Sequence, residues 1–238
     1  MYRNYIFDLY GTLADIHTNE QKPYLWKKMA EIYSAQGACY TPLELRRTYA
    51  QLCSDYKALN PDPFHEINLL PVFSELFCRK GITVPEGVAY STAVTFRTLS
   101  RNYLRLYPGV LPLLDTLVQK GKHIFLLSNA QACFTLPEIQ MLGIKDYFED
   151  ILISSDIGIC KPGTAFMNCL LERNGLSIFD SVMIGNEIEC DIQIANDCGM
   201  DSLYIHSNIS SASDLNRTSL ATHNILDGNV CRIPGFIL

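Results

Sequence analysis

The sequence has no long hydrophobic run, no basic patch, no C-x-x-C pair and no internal repeat. Each absence removes a class of protein. The first apolar stretch, Tyr5-Ile6-Phe7, is far too short for a signal peptide or a membrane span, and Asp8 ends it. No other segment reads as transmembrane. Lys and Arg number 19 against 25 Asp and Glu, a formal net charge of -6. Such a chain has no electrostatic footprint for nucleic acid or anionic lipid. Its basic residues are scattered, and Arg46-Arg47 reads as a solvated helix face. The nine cysteines are odd in number and lack metal-site spacing. They read as reduced, mostly buried thiols of a cytoplasmic protein. Cys160 and Cys190, beside motifs described below, read as small core filler.

What is present is an ordinary globular balance, with 48% hydrophobic and 18% charged residues. A length of 238 residues holds one large domain, or a core with a smaller insert. Residues 3–7 read as a buried strand ending at Asp8, with Gly11 as a turn signal. Residues 15–104 read as all-helical, with helices near 24–35, 43–59, 67–79 and 85–104; Leu45, Tyr49, Leu52 and Tyr56 lie at helical spacing. From residue 107 strand and helix patterns alternate. Strands fall at 123–127, 150–154, 181–184, 202–205 and near 223–226. Helices fall after Pro108-Gly109 and near 132–141, 165–174 and 189–198. Such alternation argues a parallel sheet with helices on both faces. The expected fold is α/β: a Rossmann-like three-layer core of residues 1–14 and 105–238, with a smaller helical cap of residues 15–104.

In parallel sheets, ligands bind outside the C-terminal strand ends. Polar groups gather at those ends here. Asp8-Leu9-Tyr10-Gly11-Thr12 follows the first strand, and Ser128-Asn129 the strand at 123–127. Gly185-Asn186-Glu187, with Asp191 beyond, follows the strand at 181–184; Lys161-Pro162 precedes the helix at 165–174. Singly, each has a plain structural reading: a turn, a helix cap or a surface lysine. Their joint placement points to one cleft.

The order and spacing of these segments resemble the haloacid dehalogenase-like superfamily. Its first motif, Asp-x-Asp-Gly-Thr, is matched by residues 8–12 except at Tyr10. Its Ser or Thr after a hydrophobic strand is matched by Ser128. Its lysine is matched by Lys161, and its Gly-Asp with a second Asp is matched in part by Gly185-Asn186-Glu187 and Asp191. Tyr107-Pro108-Gly109-Val110 resembles the segment that returns from the family's cap. The resemblance implies that Asp8 is a covalent nucleophile, which splits one hard step into two. It implies Mg²⁺ on Asp8, the Tyr10 carbonyl, Asn186, Glu187 and Asp191, since oxygen ligands suit that ion. Lys161 would balance the charge of Asp8 and the substrate. Thr12, Ser128, Asn129 and Lys161 would bind the transferred group, helped by backbone N–H groups at a helix start.

Two positions depart from the family's phosphatase pattern. Tyr10 replaces the aspartate that serves as acid and base, and a tyrosine of pKa about 10 is a poor base at neutral pH. Such a loss typically costs about 10²–10⁴-fold. Asp-x-Tyr-Gly-Thr is also the form seen in the family's metal-independent 2-haloacid dehalogenases, where carbon is attacked and no protonated leaving group is needed. Asn186 removes a charge from the metal set, so Mg²⁺ binding is expected to be weak. Three functions follow as expectations: a Mg²⁺-dependent phosphatase or phosphotransferase on a small phosphorylated metabolite, a 2-haloacid dehalogenase, or a catalytically weak binding or regulatory protein. The partner is a small molecule. Nothing in residues 15–104 names that molecule, and nothing in the chain sets an oligomeric state.

Overall fold

The computed structural model describes residues 2–238; residue 1 of the first core segment lies outside them. In chain order the elements are β1 (Asn4–Phe7), β2 (Ala14–Thr18), α1 (Pro23–Ala35), α2 (Pro42–Ala58), α3 (Leu69–Cys78), α4 (Glu86–Ser100) and β3 (Arg101–Leu106). There follow α5 (Val110–Gln119), β4 (His123–Ser128), α6 (Ala132–Met141), β5 (Asp150–Ile153), α7 (Ser154–Ile157), α8 (Thr164–Asn174) and β6 (Ser181–Gly185). The chain closes with α9 (Gln193–Cys198), β7 (Asp201–Ile205), β8 (His223–Ile225) and α10 (Ile233–Ile237).

Six strands form a parallel sheet in the order β5-β4-β1-β6-β7-β8. β1 lies near the middle and is buried throughout. Because side chains alternate across a strand, each strand feeds two layers. Tyr5, Phe7, Ile124, Leu126, Val182 and Ile184 pack against α5 on one face. Ile6, Phe125, Leu127 and Met183 pack with Phe166, Met167 and Leu170 of α8 on the other. A strand covered on both faces reads as a continuous apolar run, which is why β1 and β4 were visible in the sequence.

The insert is four helices around an aromatic interior. Trp26, Tyr33, Tyr40, Tyr49, Phe73, Phe77 and Phe96 fill it. Its second helix is fixed at its start by a capping box, in which Thr41 accepts from the Glu44 N–H and Glu44 reaches back to Thr41. The insert is not purely helical. Residues 101–104, which read as the end of a helix, belong to β3, paired antiparallel with β2 at the insert's base. The two strands lie more than eighty residues apart in sequence, and their pairing stabilises the extended form. Asp15 opposite Arg105 adds an ion pair to this ribbon, 2.7 Å long.

The insert also packs onto the sheet half. Phe134 and Cys133 of α6 join the aromatic interior, while Ile139 of the same helix joins the core beneath the sheet. The loop between α2 and α3 is stitched to the segment before Lys161: Cys160 N–H donates to the Phe64 carbonyl at 2.8 Å and Glu66 N–H to Gly158 at 3.1 Å. Gln131, just before α6, holds the same loop. Its amide donates to the Ile67 carbonyl and its oxygen accepts from the Leu69 N–H, both at 2.8 Å.

Candidate active site

The sheet order reverses around β1, with β4 on one side and β6 on the other. The C-terminal ends of these strands deliver the polar segments to a common point, as expected at a topological switch. A cavity of about 90 Å³ opens there, lined by Asp8, Tyr10, Asn129, Lys161, Glu187 and Asp191. At the ~30 Å³ a water takes up in the liquid, it has room for a few waters or one tetrahedral oxyanion. Every lining residue comes from the sheet half.

Lys161 is the hub, 3% exposed. Its Nζ donates to Asp8 Oδ1 at 2.7 Å, Asp191 Oδ1 at 2.6 Å and the Leu127 carbonyl at 2.8 Å. Three acceptors match the three protons of an ammonium group. Burial alone lowers a lysine, but the charges of Asp191 and Asp8 outweigh it and hold Lys161 protonated. Asn129 positions this residue. Its amide donates to the Lys161 carbonyl at 3.0 Å and its oxygen accepts from the Lys161 N–H at 2.7 Å.

One ammonium facing two carboxylates leaves the cluster one negative charge in excess. Burial raises the Asp8 carboxyl, to about 7; Lys161 opposes this and Asp191 adds to it. Such a site attracts a cation. The free donors are hard oxygens: Asp8 Oδ2, and the Glu187 carboxylate at the exposed rim. Among the described residues no three His, Cys, Asp or Glu side chains form a ready-made metal cluster. Asp191 is turned inward, with Oδ1 on Lys161 and Oδ2 accepting from the Glu187 N–H at 3.0 Å. It stands on a π turn, Ile188–Ile192, where the sequence suggested a plain helix. Such turns recur at functional sites because they redirect a side chain. Gly185 makes room for it: a Cβ there would stand 2.2 Å from the Asp191 carboxyl group.

Asn186 lies behind the cavity. Thr12 Oγ1 donates to its Oδ1 at 3.2 Å, and its amide donates to Ser210 at 3.2 Å. Gly11, at φ +92°, allows this approach, since a Cβ would meet the Asn186 amide at 2.4 Å. Thr12 and Ser128 each come within 3.5 Å of Asp8, on opposite carboxylate oxygens. The cavity therefore brings together Asp8, Tyr10, Asn129, Lys161, Glu187 and Asp191, with Thr12, Ser128 and Asn186 in the layer that orients them.

Tyr10 borders the cavity, yet its hydroxyl is engaged elsewhere. It donates to Glu138 Oε2 at 2.5 Å and lies 3.0 Å from Thr135 Oγ1, both on α6. Burial and the Glu138 charge raise its pKa, so the proton stays on the ring oxygen. Glu138 is itself clamped by the insert: Arg97 donates to both its oxygens, at 2.8 and 3.2 Å, and Arg101 donates at 3.0 Å. The Arg97 guanidinium also stacks over the Tyr10 and Phe134 rings. Sequence reasoning missed this cluster. Glu138 sits in an apolar helix with a buried position at Ile139 beside it, and that isolated acid was the one available signal.

Comparison with known proteins agrees with this architecture. A profile described as haloacid dehalogenase-like hydrolase matches residues 2–199. The chain is 25% identical over 212 residues to a glyceraldehyde 3-phosphate phosphatase of Methanothermobacter thermautotrophicus, with 89% of each protein covered. Among solved structures, a 2-haloacid dehalogenase from Pseudomonas syringae superposes with a TM-score of 0.66 at 21% identity, covering 99% of this chain and 97% of that one. A phosphatase of the same superfamily from Thermococcus onnurineus gives 0.62 at 16% identity, covering 98% and 97%. At such identities the superpositions speak for the fold alone. The chain belongs to the haloacid dehalogenase-like hydrolase family and is a hydrolase. Among its described residues no helix is long and apolar enough to cross a membrane.

Proposed function

We propose that this hydrolase is a phosphatase or phosphotransferase acting on small phosphorylated metabolites through Asp8. The observation that supports it best is the Lys161 ammonium, protonated and fixed against Asp8. A carboxylate attacking a phosphoryl group brings two anions together, and a buried cation beside the attacking oxygen offsets that repulsion. The phosphatase name of the Methanothermobacter relative, matched along most of both chains, favours the same reading.

Asp8 attacks phosphorus, and the leaving oxygen departs opposite it. Lys161 holds Asp8 in place and spreads the charge. Thr12 and Ser128, one near each Asp8 oxygen and behind the cavity, orient the attacking carboxylate. Water then attacks phosphorus and returns Asp8 as a carboxylate. The excess negative charge of the cluster and its hard oxygen donors fit Mg²⁺. Asp8, the Tyr10 carbonyl and Glu187 would hold it, with Asn186 and Asp191 supporting from behind; when bound it supplies charge neutralisation at the phosphoryl oxygens. Asn186, already bonded to Thr12 and Ser210, adds no charge, so binding is weak.

The test is phosphate release from a panel of phosphate monoesters, and halide release from 2-chloropropionate, each with Mg²⁺ and with EDTA. Phosphate release abolished by EDTA and by Asp8→Asn establishes the reading. Halide release indifferent to EDTA replaces it with a dehalogenase.

A further inference from the structure

We infer that the preferred substrate is an acyl phosphate, whose leaving group departs as a stable carboxylate, and not an alkyl phosphate. The inference rests on the phosphotransfer reading of Asp8. Its ground is that the groups around the cavity have no proton to give.

Consider the lining residues in turn. Lys161 spends its three protons on Asp8, Asp191 and the Leu127 carbonyl. Asp191 accepts at both oxygens, from Lys161 and from the Glu187 N–H. Asn129 holds the Lys161 backbone with one N–H and its oxygen, and an amide is no acid. The Tyr10 hydroxyl leaves the cavity for Glu138 and Thr135, and Glu138 is pinned by Arg97 and Arg101. Glu187 remains, at the rim, where the cation would sit. An alkoxide leaving group needs a proton as its bond to phosphorus breaks, and losing the acid typically costs about 10²–10⁴-fold. A carboxylate, from an acid of pKa about 4, needs none.

The chemistry closes without an acid. An Asp8 oxygen bonds to phosphorus while the bond from phosphorus to the acyl oxygen breaks. That oxygen leaves with the electron pair as a carboxylate. The aspartyl phosphate is itself an acyl phosphate. When water attacks its phosphorus, Asp8 leaves as a carboxylate and the water's proton passes to bulk solvent.

The experiment compares kcat/KM for acetyl phosphate, glycerol 3-phosphate and a series of substituted phenyl phosphates, using the full chain with Mg²⁺. Acetyl phosphate is expected to exceed glycerol 3-phosphate by about 10²-fold or more. Across the phenyl series the rate should fall steeply as the leaving-group pKa rises. Tyr10→Asp should flatten that slope by raising the alkyl ester rate. The slope of the unaltered protein decides the matter even where this variant fails to fold. A shallow slope with Asp8 phosphorylated overturns the inference and leaves the phosphotransfer reading standing. So does a Glu187→Gln variant that slows the alkyl ester and spares acetyl phosphate, because Glu187 is then the acid. Failure of every phosphate compound to turn over or to label Asp8 removes the underlying reading, and the inference with it.

Discussion

Two buried ion clusters flank Tyr10, and their charges are opposite. On the sheet side one cation, Lys161, faces two carboxylates, Asp8 and Asp191. On the insert side one carboxylate, Glu138, faces two guanidiniums, Arg97 and Arg101. The first is almost wholly enclosed at the lysine and keeps a surplus negative charge beside an open cavity. The second keeps its surplus positive charge on arginines 13–14% exposed, where water reaches it. The difference separates reactivity from attachment. Charge left unbalanced beside a cavity draws in a ligand, whereas charge whose surplus is hydrated joins two parts of a fold.

The hardest way to break this comparison is Glu138→Ala. It strands two guanidiniums, that of Arg97 against the Tyr10 ring. Losing one partner of a buried pair costs about 3–5 kcal/mol. For a chain of this size the melting temperature should fall by about 10 °C. A fall of less than 2 °C in thermal melts would show that the cluster does not join the insert to the sheet half. Next is Lys161→Met, which leaves Asp8 and Asp191 facing each other. Phosphate release should drop about 10²–10³-fold, the usual effect of removing one preorganised electrostatic contact. Steady-state rates within threefold of the parent would reduce Lys161 to a structural role.

The third variant sharpens the contrast by its sign. Asp8→Asn should raise stability, because it relieves the surplus charge. The Asp8 carboxyl is held at about 7 in the folded chain, above its ordinary 3.8. An acid raised by folding costs stability above its unfolded value, and the cost grows until the folded value is passed. Melts in EDTA should therefore show no gain for Asp8→Asn below about pH 4 and a full gain above about pH 7. A shift of about three pKa units corresponds to about 4 kcal/mol, so the full gain should approach about 10 °C. A difference that stays flat with pH would place the strain elsewhere.

The sheet side was legible in the sequence. Asp8, Ser128 and Asn186 each follow a short apolar strand, so the strand pattern alone located them at one edge. The insert side was not. Arg97 and Arg101 are spaced four apart and look like a solvated helix face; Glu138, 41 and 37 positions away, makes them interior. Tyr10 was legible as a departure from the family motif, but where its hydroxyl goes depends on that same distant contact. The β2–β3 ribbon was lost for a related reason, because pairing across the whole insert overrides local helical spacing in residues 101–104. Short-range pattern finds groups presented by one element. It misses groups defined by two.

The seam along α6 has a further meaning in terms of interchangeable parts. No insert residue lines the inner cavity, and the insert meets the sheet half through a few fixtures: the Gln131 amide, the strip of backbone at 158–160, the Phe134 ring and the Glu138 carboxylate. These act as a socket. A different helical block carrying the matching pins could be fitted there without touching a reactive atom, and the aromatic packing inside the present block could drift over generations unnoticed by the chemistry below.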